Sequence, residues 1–179
     1  YPCEEMADAQ DEHRSWLPWI VLGGGITGAV TGWALQFLTS TMVYPMNIGG
    51  TIHPGSVTVH MTEAQHSSGP GLGHQAGFVV EWNDNRVYHA GDTGLFSDMQ
   101  LIGEFLEPDL GLVPIGDRFT MGTRSAARAV EFLNVDQVIP MHYNTFEFVE
   151  QDPNDFAERV ESGADVVILD PGDSHRLTS

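Results

Sequence analysis

Downstream of residue 57 the apolar positions recur at two periods. Val57, Val59 and Met61 alternate with polar residues, as in a strand with one buried face. Ala76–Trp82 and Arg86–Ala90 predict two further strands, joined at the turn-forming Asn83-Asp84-Asn85. Leu110–Ile115 and Val138–Pro140 predict two more, and Val166–Leu169 a final buried one. Helical spacing predicts Met99–Leu106, ended near Pro108, and Asp155–Val160. It also predicts Thr123–Leu133, with Ala126, Ala129, Val130 and Leu133 on one side. Strands alternating with helices predict a layered α/β fold.

Upstream the texture changes. No Asp, Glu, Lys or Arg occurs from Ser15 to Thr62, and the 22 residues Leu17–Leu38 carry only Thr27, Thr31 and Gln36 as polar side chains. That length of apolar helix spans the hydrocarbon layer of a bilayer. Trp16 and Trp19 at one end and Tyr44 at the other sit where interfacial anchors belong. Gly24, Gly28 and Gly32 fall on one helix face, flat enough for a partner helix to approach closely. A glycine-rich buried segment is the other reading; a signal peptide is disfavoured by the acidic residues ahead of it. The expected organisation is an acidic stub at 1–15, a membrane-like helix segment at 16–47 and an α/β domain at 48–179.

Charge narrows the partners. Seven basic residues, all Arg, stand against 25 acidic ones, for a net charge of −18. No basic stripe exists to displace counterions from a phosphate backbone, which excludes nucleic acid as a partner. The single cysteine rules out an internal disulfide and a Cys-rich zinc cage.

Three short motifs follow predicted strands: Ala64-Gln65-His66-Ser67-Ser68, His89-Ala90-Gly91-Asp92-Thr93-Gly94 and Pro140-Met141-His142-Tyr143-Asn144-Thr145. Loops after strand ends are where scaffolds present functional groups. His66, Asp92 and His142 thus offer two imidazoles and a carboxylate, a donor set that suits Zn, Mn or Fe. Taken singly, each has a plainer reading: a turn aspartate, a hydrogen-bonded core histidine, a surface histidine. His89, just before the second loop, is placed to orient a ligand rather than to be one.

The stretches MTEAQHSSG, VYHAGDTGLFSDMQLIGEF, PDLGLVPIGDRFTMG, AARAVEFL and VIPMHYNTFEFVEQDP resemble the C-terminal half of the metallo-β-lactamase superfamily, specifically the UPF0173 type of metal-dependent hydrolases. The resemblance implies an incomplete, half αββα sandwich preceded by one transmembrane helix. It implies hydrolysis of a small-molecule substrate by metal-bound hydroxide. By the same resemblance, His66, Asp92 and His142 are metal ligands, Asp92 and His142 carry the catalysis, and Asp117 lies in a loop beside them. The family's H-x-H-x-D-H loop occurs nowhere in this sequence. The expectation is therefore an impaired site that holds one divalent ion, Zn or Mn, at most.

The preceding segment, YPCEEMADAQ followed by RSWLPWIVLGGGITGAVTGWALQFLTSTMVYPMNIGG, resembles the small membrane protein of bacterial alternative complex III, a quinol-oxidising respiratory assembly. The chain thus reads as a fusion joined near Asn47-Ile48-Gly49-Gly50. Two alternatives to the hydrolase follow. One is a membrane-anchored component of such a complex, held through residues 16–39 with its hydrolase-like part in the cytoplasm. The other is a non-functional chimera. Without the membrane helix the expected location is cytoplasmic throughout. Half a sandwich leaves a sheet face bare, so a partner helix or a second copy is expected to cover Val79, Leu112, Val113 and Ile139.

Overall fold

The computed structural model describes residues 44–67 and 73–177. Their elements run β1 (Thr51–Ile52), β2 (Thr58–Glu63), β3 (Ala76–Trp82), β4 (Asn85–His89), α1 (Met99–Leu106), β5 (Leu110–Pro114), α2 (Thr123–Leu133), β6 (Gln137–Met141), α3 (Pro153–Arg159) and β7 (Asp165–Val166), with a 3-10 turn at Glu147–Val149. The membrane-like segment 16–47, with Gly24, Gly28 and Gly32, lies outside the described residues up to position 43. Among the described residues no helix is long and apolar enough to cross a membrane.

The seven strands form one sheet in chain order. β1 to β4 pair antiparallel, and β4 to β7 pair parallel. The antiparallel half closes through a tight hairpin. Asn83 and Asp84 both take left-handed φ, 46° and 66°, so Trp82 pairs directly with Asn85. Two central residues with positive φ give the turn whose twist matches the strands; the turn is two residues, one shorter than the sequence suggests. The parallel half requires crossovers, and α1, α2 and α3 lie in the three of them. α1 ends at Glu107 and α2 at Asn134, each left-handed (φ 42° and 50°) with its N–H bonded back to the carbonyl of Gly103 or Val130. α3 starts two residues earlier than periodicity suggests, because Asp152 caps it by accepting from the Asn154 N–H, with Pro153 in the first turn.

Strand register sorts the sheet into two faces. His60, Val79, Tyr88, Gly111 and Val138 align in one row, and Met61, Phe78, His89, Leu112 and Ile139 in the next. Successive residues of a strand point to opposite sides. The first face lies under the helices: a Cβ on Gly111 would touch Leu133 and Val135, and Val79, Tyr88, Val113 and Val138 are 0% exposed. They belong to a core shared with Met99, Ile102, Val130, Leu133 and Phe156. Burial there pushes the Tyr88 phenol well above its ordinary pKa. The second face is only half-buried. The expected bare set is thus corrected. Leu112 and Ile139 lie on the half-buried face, but Val79 and Val113 are one residue out of phase with it and sit in the core. The last strand is also corrected: β7 is two residues at the sheet edge, and Ile168 beyond it is exposed.

Candidate active site

The topology brings four strand ends to one side. β2 and β4 both run antiparallel to β3, so they share a direction, and β5 and β6 run parallel to β4. The segments leaving β2, β4, β5 and β6 therefore emerge together, at the carboxyl ends where α/β sheets place ligands. They carry His66, Asp92, Asp117 and His142 respectively.

A buried threonine ties three of these loops together. Thr93 is 0% exposed. Its Oγ1 accepts from the Gln65 N–H at 2.8 Å and donates to the Gly94 carbonyl at 2.8 Å. Its carbonyl accepts from the Met121 N–H at 3.0 Å, while the Gly94 N–H donates to the Gln65 carbonyl at 2.8 Å. The fourth loop is locked to the third by close approach: the Ile115 N–H donates to the Met141 carbonyl, and a Cβ on Gly116 would collide with the His142 carbonyl.

Among the described residues seven non-glycine residues have positive φ. Asn83 and Asp84 make the hairpin, and Glu107 and Asn134 cap helices. The other three, Asp117 (64°), His142 (55°) and Asn144 (56°), fall in the site loops. Positive φ at non-glycine residues is a strain that clusters at functional sites. Asn144 fixes the His142 loop, its N–H donating to the Val149 carbonyl and its Oδ1 accepting from the Gln151 N–H.

Asp92 and His142 meet: His142 Nε2 lies 3.5 Å from Asp92 Oδ2. The other ring nitrogen, Nδ1, is buried with no hydrogen-bond partner among the described residues. Burial holds the His89 imidazole below its ordinary pKa, opposed by the nearby Asp92 charge. His89 Nδ1 accepts the Gly91 N–H at 3.1 Å, so it positions the turn that presents Asp92 through the backbone. Asp117 makes no side-chain hydrogen bond to Asp92 or His142. Its carboxylate packs against Gly122 at the start of α2, where the helix dipole favours a negative charge.

His66 does not complete a triangle. Among the described residues no three His, Cys, Asp or Glu side chains converge closely enough to hold a metal ion. The reason is local: His66 Nδ1 faces the Ser67 carbonyl at 3.0 Å. The ring lines an open cleft of about 620 Å³ with His74, Gln75, Gly94, Arg118 and Phe119. A ring nitrogen held by a backbone carbonyl is a common posture of a histidine whose other nitrogen takes a metal. The donors therefore fit a divalent ion as an Asp92–His142 pair, with His66 in the adjoining loop, and they fall short of a closed set.

Sequence reasoning missed Thr93, whose role depends on three loops converging, and an aromatic cluster around Arg118. The Arg118 guanidinium carbon lies 4.1 Å from the Phe148 ring centre and 5.6 Å from that of Phe119. Phe146 bridges the two rings at 6.3 and 6.2 Å. Phe119 and Phe146 lie far apart along the chain, so no local pattern pairs them.

The family model described as the beta-lactamase superfamily domain matches residues 15–143. The chain belongs to the metallo-β-lactamase superfamily. The matched span takes in residues 16–47, the stretch that hydropathy sets apart. The chain is 52% identical over 136 residues to a UPF0173 metal-dependent hydrolase of Pyrobaculum islandicum, covering 74% of this chain and 60% of that protein. It is 50% identical over 141 residues to another from Methanospirillum hungatei, covering 74% and 64%. Among solved structures it is similar to Igni18, a metallo hydrolase from Ignicoccus hospitalis, with 38% identity, a TM-score of 0.70, and 79% and 63% of the two chains covered. The chain thus spans less than two thirds of the length of these superfamily relatives.

Proposed function

We propose that this chain carries the C-terminal share of a metal-dependent hydrolase site, with Asp92 and His142 holding one divalent ion and His66 as the nearest further donor. The observation that carries the reading is the approach of Asp92 Oδ2 to His142 Nε2 at 3.5 Å, at the carboxyl ends of parallel strands, on backbone that is left-handed at His142. When bound, such an ion acidifies water and polarises a carbonyl or phosphoryl group. The chain's own residues do the positioning. Thr93 fixes the Asp92 turn, Gly116 and Asn144 fix the His142 backbone, and His89 holds the peptide before Asp92. The H-x-H-x-D-H loop is absent from the sequence, so the reading includes weak or no turnover by this chain on its own.

Calorimetric titration of the purified chain with Zn²⁺ and with Mn²⁺ tests the reading. It expects no more than one ion per chain, bound at least about tenfold more weakly after Asp92→Ala or His142→Ala, as loss of one of few ligands requires. Absence of uptake by the unaltered chain, or uptake indifferent to both substitutions, would sink it.

A second proposal rests on the charge-free run from Ser15 to Thr62 alone: attachment to a bilayer through residues 16–39, with the Gly24, Gly28 and Gly32 face against a partner helix. Flotation with phosphatidylcholine vesicles is its test, and a chain left at the bottom of the gradient refutes it.

A further inference from the structure

The cleft beside His66 has its own chemistry. Arg118 is exposed, and among the described residues no carboxylate lies within 4 Å of it. Arg86, Arg128 and Arg159 pair with carboxylates, whereas Arg118, like Arg124 and Arg176, has none within 4 Å among the described residues. Of those three, Arg118 is the one that lines the cleft, with its guanidinium carbon over the Phe148 ring and near Phe119. A guanidinium without an ion-pair partner can grip a carboxylate with two parallel bonds.

A second unspent donor lines the same cleft. Gln75 Nε2 is buried and has no hydrogen-bond partner among the described residues. Buried donors are normally satisfied, so an unpaired one on a residue of the cleft wall is a candidate for an incoming acceptor. Beside them Phe119, 49% exposed, forms an apolar part of the cleft wall. Glu63 also lines the cleft, but it is exposed, where solvent screens its charge.

We propose that this cleft is the substrate-recognition pocket of the site, and that it takes an aromatic or bulky apolar carboxylate: Arg118 and Gln75 bind the carboxylate, and Phe119 packs on the apolar group. The proposal rests on the hydrolase reading for the word substrate, but the pocket itself stands on Arg118, Gln75 and Phe119. Arg118 is a binding residue and takes no part in bond breaking.

The test uses 3-phenylpropionate as probe, with 3-phenylpropan-1-ol as its neutral counterpart, titrated into the full chain and followed by ligand-observed NMR. The carboxylate is expected to bind at least about tenfold more tightly than the alcohol, the usual margin for a charge-assisted pair. Arg118→Gln should erase that margin while leaving the melting temperature in place, since the residue is exposed. Phe119→Ala should weaken both probes together. Equal binding of the two probes, or an Arg118→Gln chain that still prefers the carboxylate, overturns the proposal. Asp92→Ala serves as the separating control, because it should weaken Zn²⁺ uptake at least about tenfold and leave 3-phenylpropionate binding unchanged. A chain that takes no Zn²⁺ but still selects the carboxylate through Arg118 would refute the hydrolase reading and uphold the pocket.

Discussion

The two faces of the sheet are made from the same strands, yet they stand in different solvents. On one, Val79, Tyr88, Val113 and Val138 are wholly covered by α1, α2 and α3. On the other, Phe78, Val80, Leu112 and Ile139 are of similar apolarity but only half-buried. The free energy of burial scales with the area removed from water, so residues one position apart contribute very differently. The helical face carries the fold. The second face is less covered, and we propose that a second copy of the chain packs on it.

The helical face should therefore be the most sensitive place to cut. Leu133 ends α2 with 0% of its surface exposed, and Leu133→Ala should cost about 2–5 kcal/mol, the range for a buried leucine that leaves a cavity. Urea denaturation reads this directly; a loss below about 1 kcal/mol would show that α2 can settle into the gap. Gly103 comes next. It is where α1 crosses α2, and an added Cβ would sit 2.5 Å from the Phe132 carbonyl and 2.7 Å from that of Leu133. Backbone atoms cannot swing aside, so Gly103→Ala should cost about 1–3 kcal/mol by forcing the helices apart. An unchanged midpoint would mean that the crossing is loose.

Val138 and Ile139 give the sharpest contrast, being neighbours in β6 on opposite faces. Val138→Ala removes fewer atoms, but from a site that is 0% exposed, and should cost about 1.5 kcal/mol or more. Ile139→Ala removes more atoms from a half-buried site and should cost less than about 1 kcal/mol. It should also weaken self-association in sedimentation velocity. Should Ile139→Ala prove the costlier of the two, its face is already covered within the chain.

Much of this plan was legible in the sequence, and the failures have identifiable causes. Ala76–Trp82, Met99–Leu106 and Thr123–Leu133 have the bounds that periodicity assigns, because each has a clear period bounded by turn or cap residues. Period two also shows that Val138 and Ile139 face opposite ways, but it cannot say which face the helices choose. That is set by the crossovers, hence the misassignment of Val79 and Val113. β1 and β7 are two residues each, too short for any period. In the site, the positions of Asp92 and His142 after their strands foretold their meeting. The ring of His66 went elsewhere because a backbone carbonyl one residue away competes for it, an interaction no spacing rule contains. The left-handed backbone at Asp117 and His142 leaves no mark in side-chain pattern at all.

The smallest effect belongs to the outermost part of the helical face, where α3 docks on α2. Asp155 accepts from Thr123 Oγ1 at 2.7 Å and from Arg159 Nε and a terminal nitrogen at 2.8 and 2.9 Å. The Arg159 hydrogen bonds, and then that from Thr123, hold its carboxyl below the usual carboxylate pKa. A group whose pKa is depressed by folding contributes stability that is fully present above its unfolded value, near 4, and is lost as pH falls through the folded value. The whole chain does not report this cleanly, because acidification also relieves the repulsion of a −18 surface. The difference between the unaltered chain and Asp155→Asn isolates it. Their melting temperatures should differ at pH 7 and converge only as pH falls below the unfolded value and through the depressed folded one, where the aspartate is protonated and the two side chains are nearly alike. Asp155 is solvent-accessible, so 1 M NaCl should shrink the pH 7 difference by screening Arg159. The neutral Thr123 bond should leave a remainder. A gap that widened toward low pH would reverse the sign of the linkage and remove Asp155 as the tie between α2 and α3.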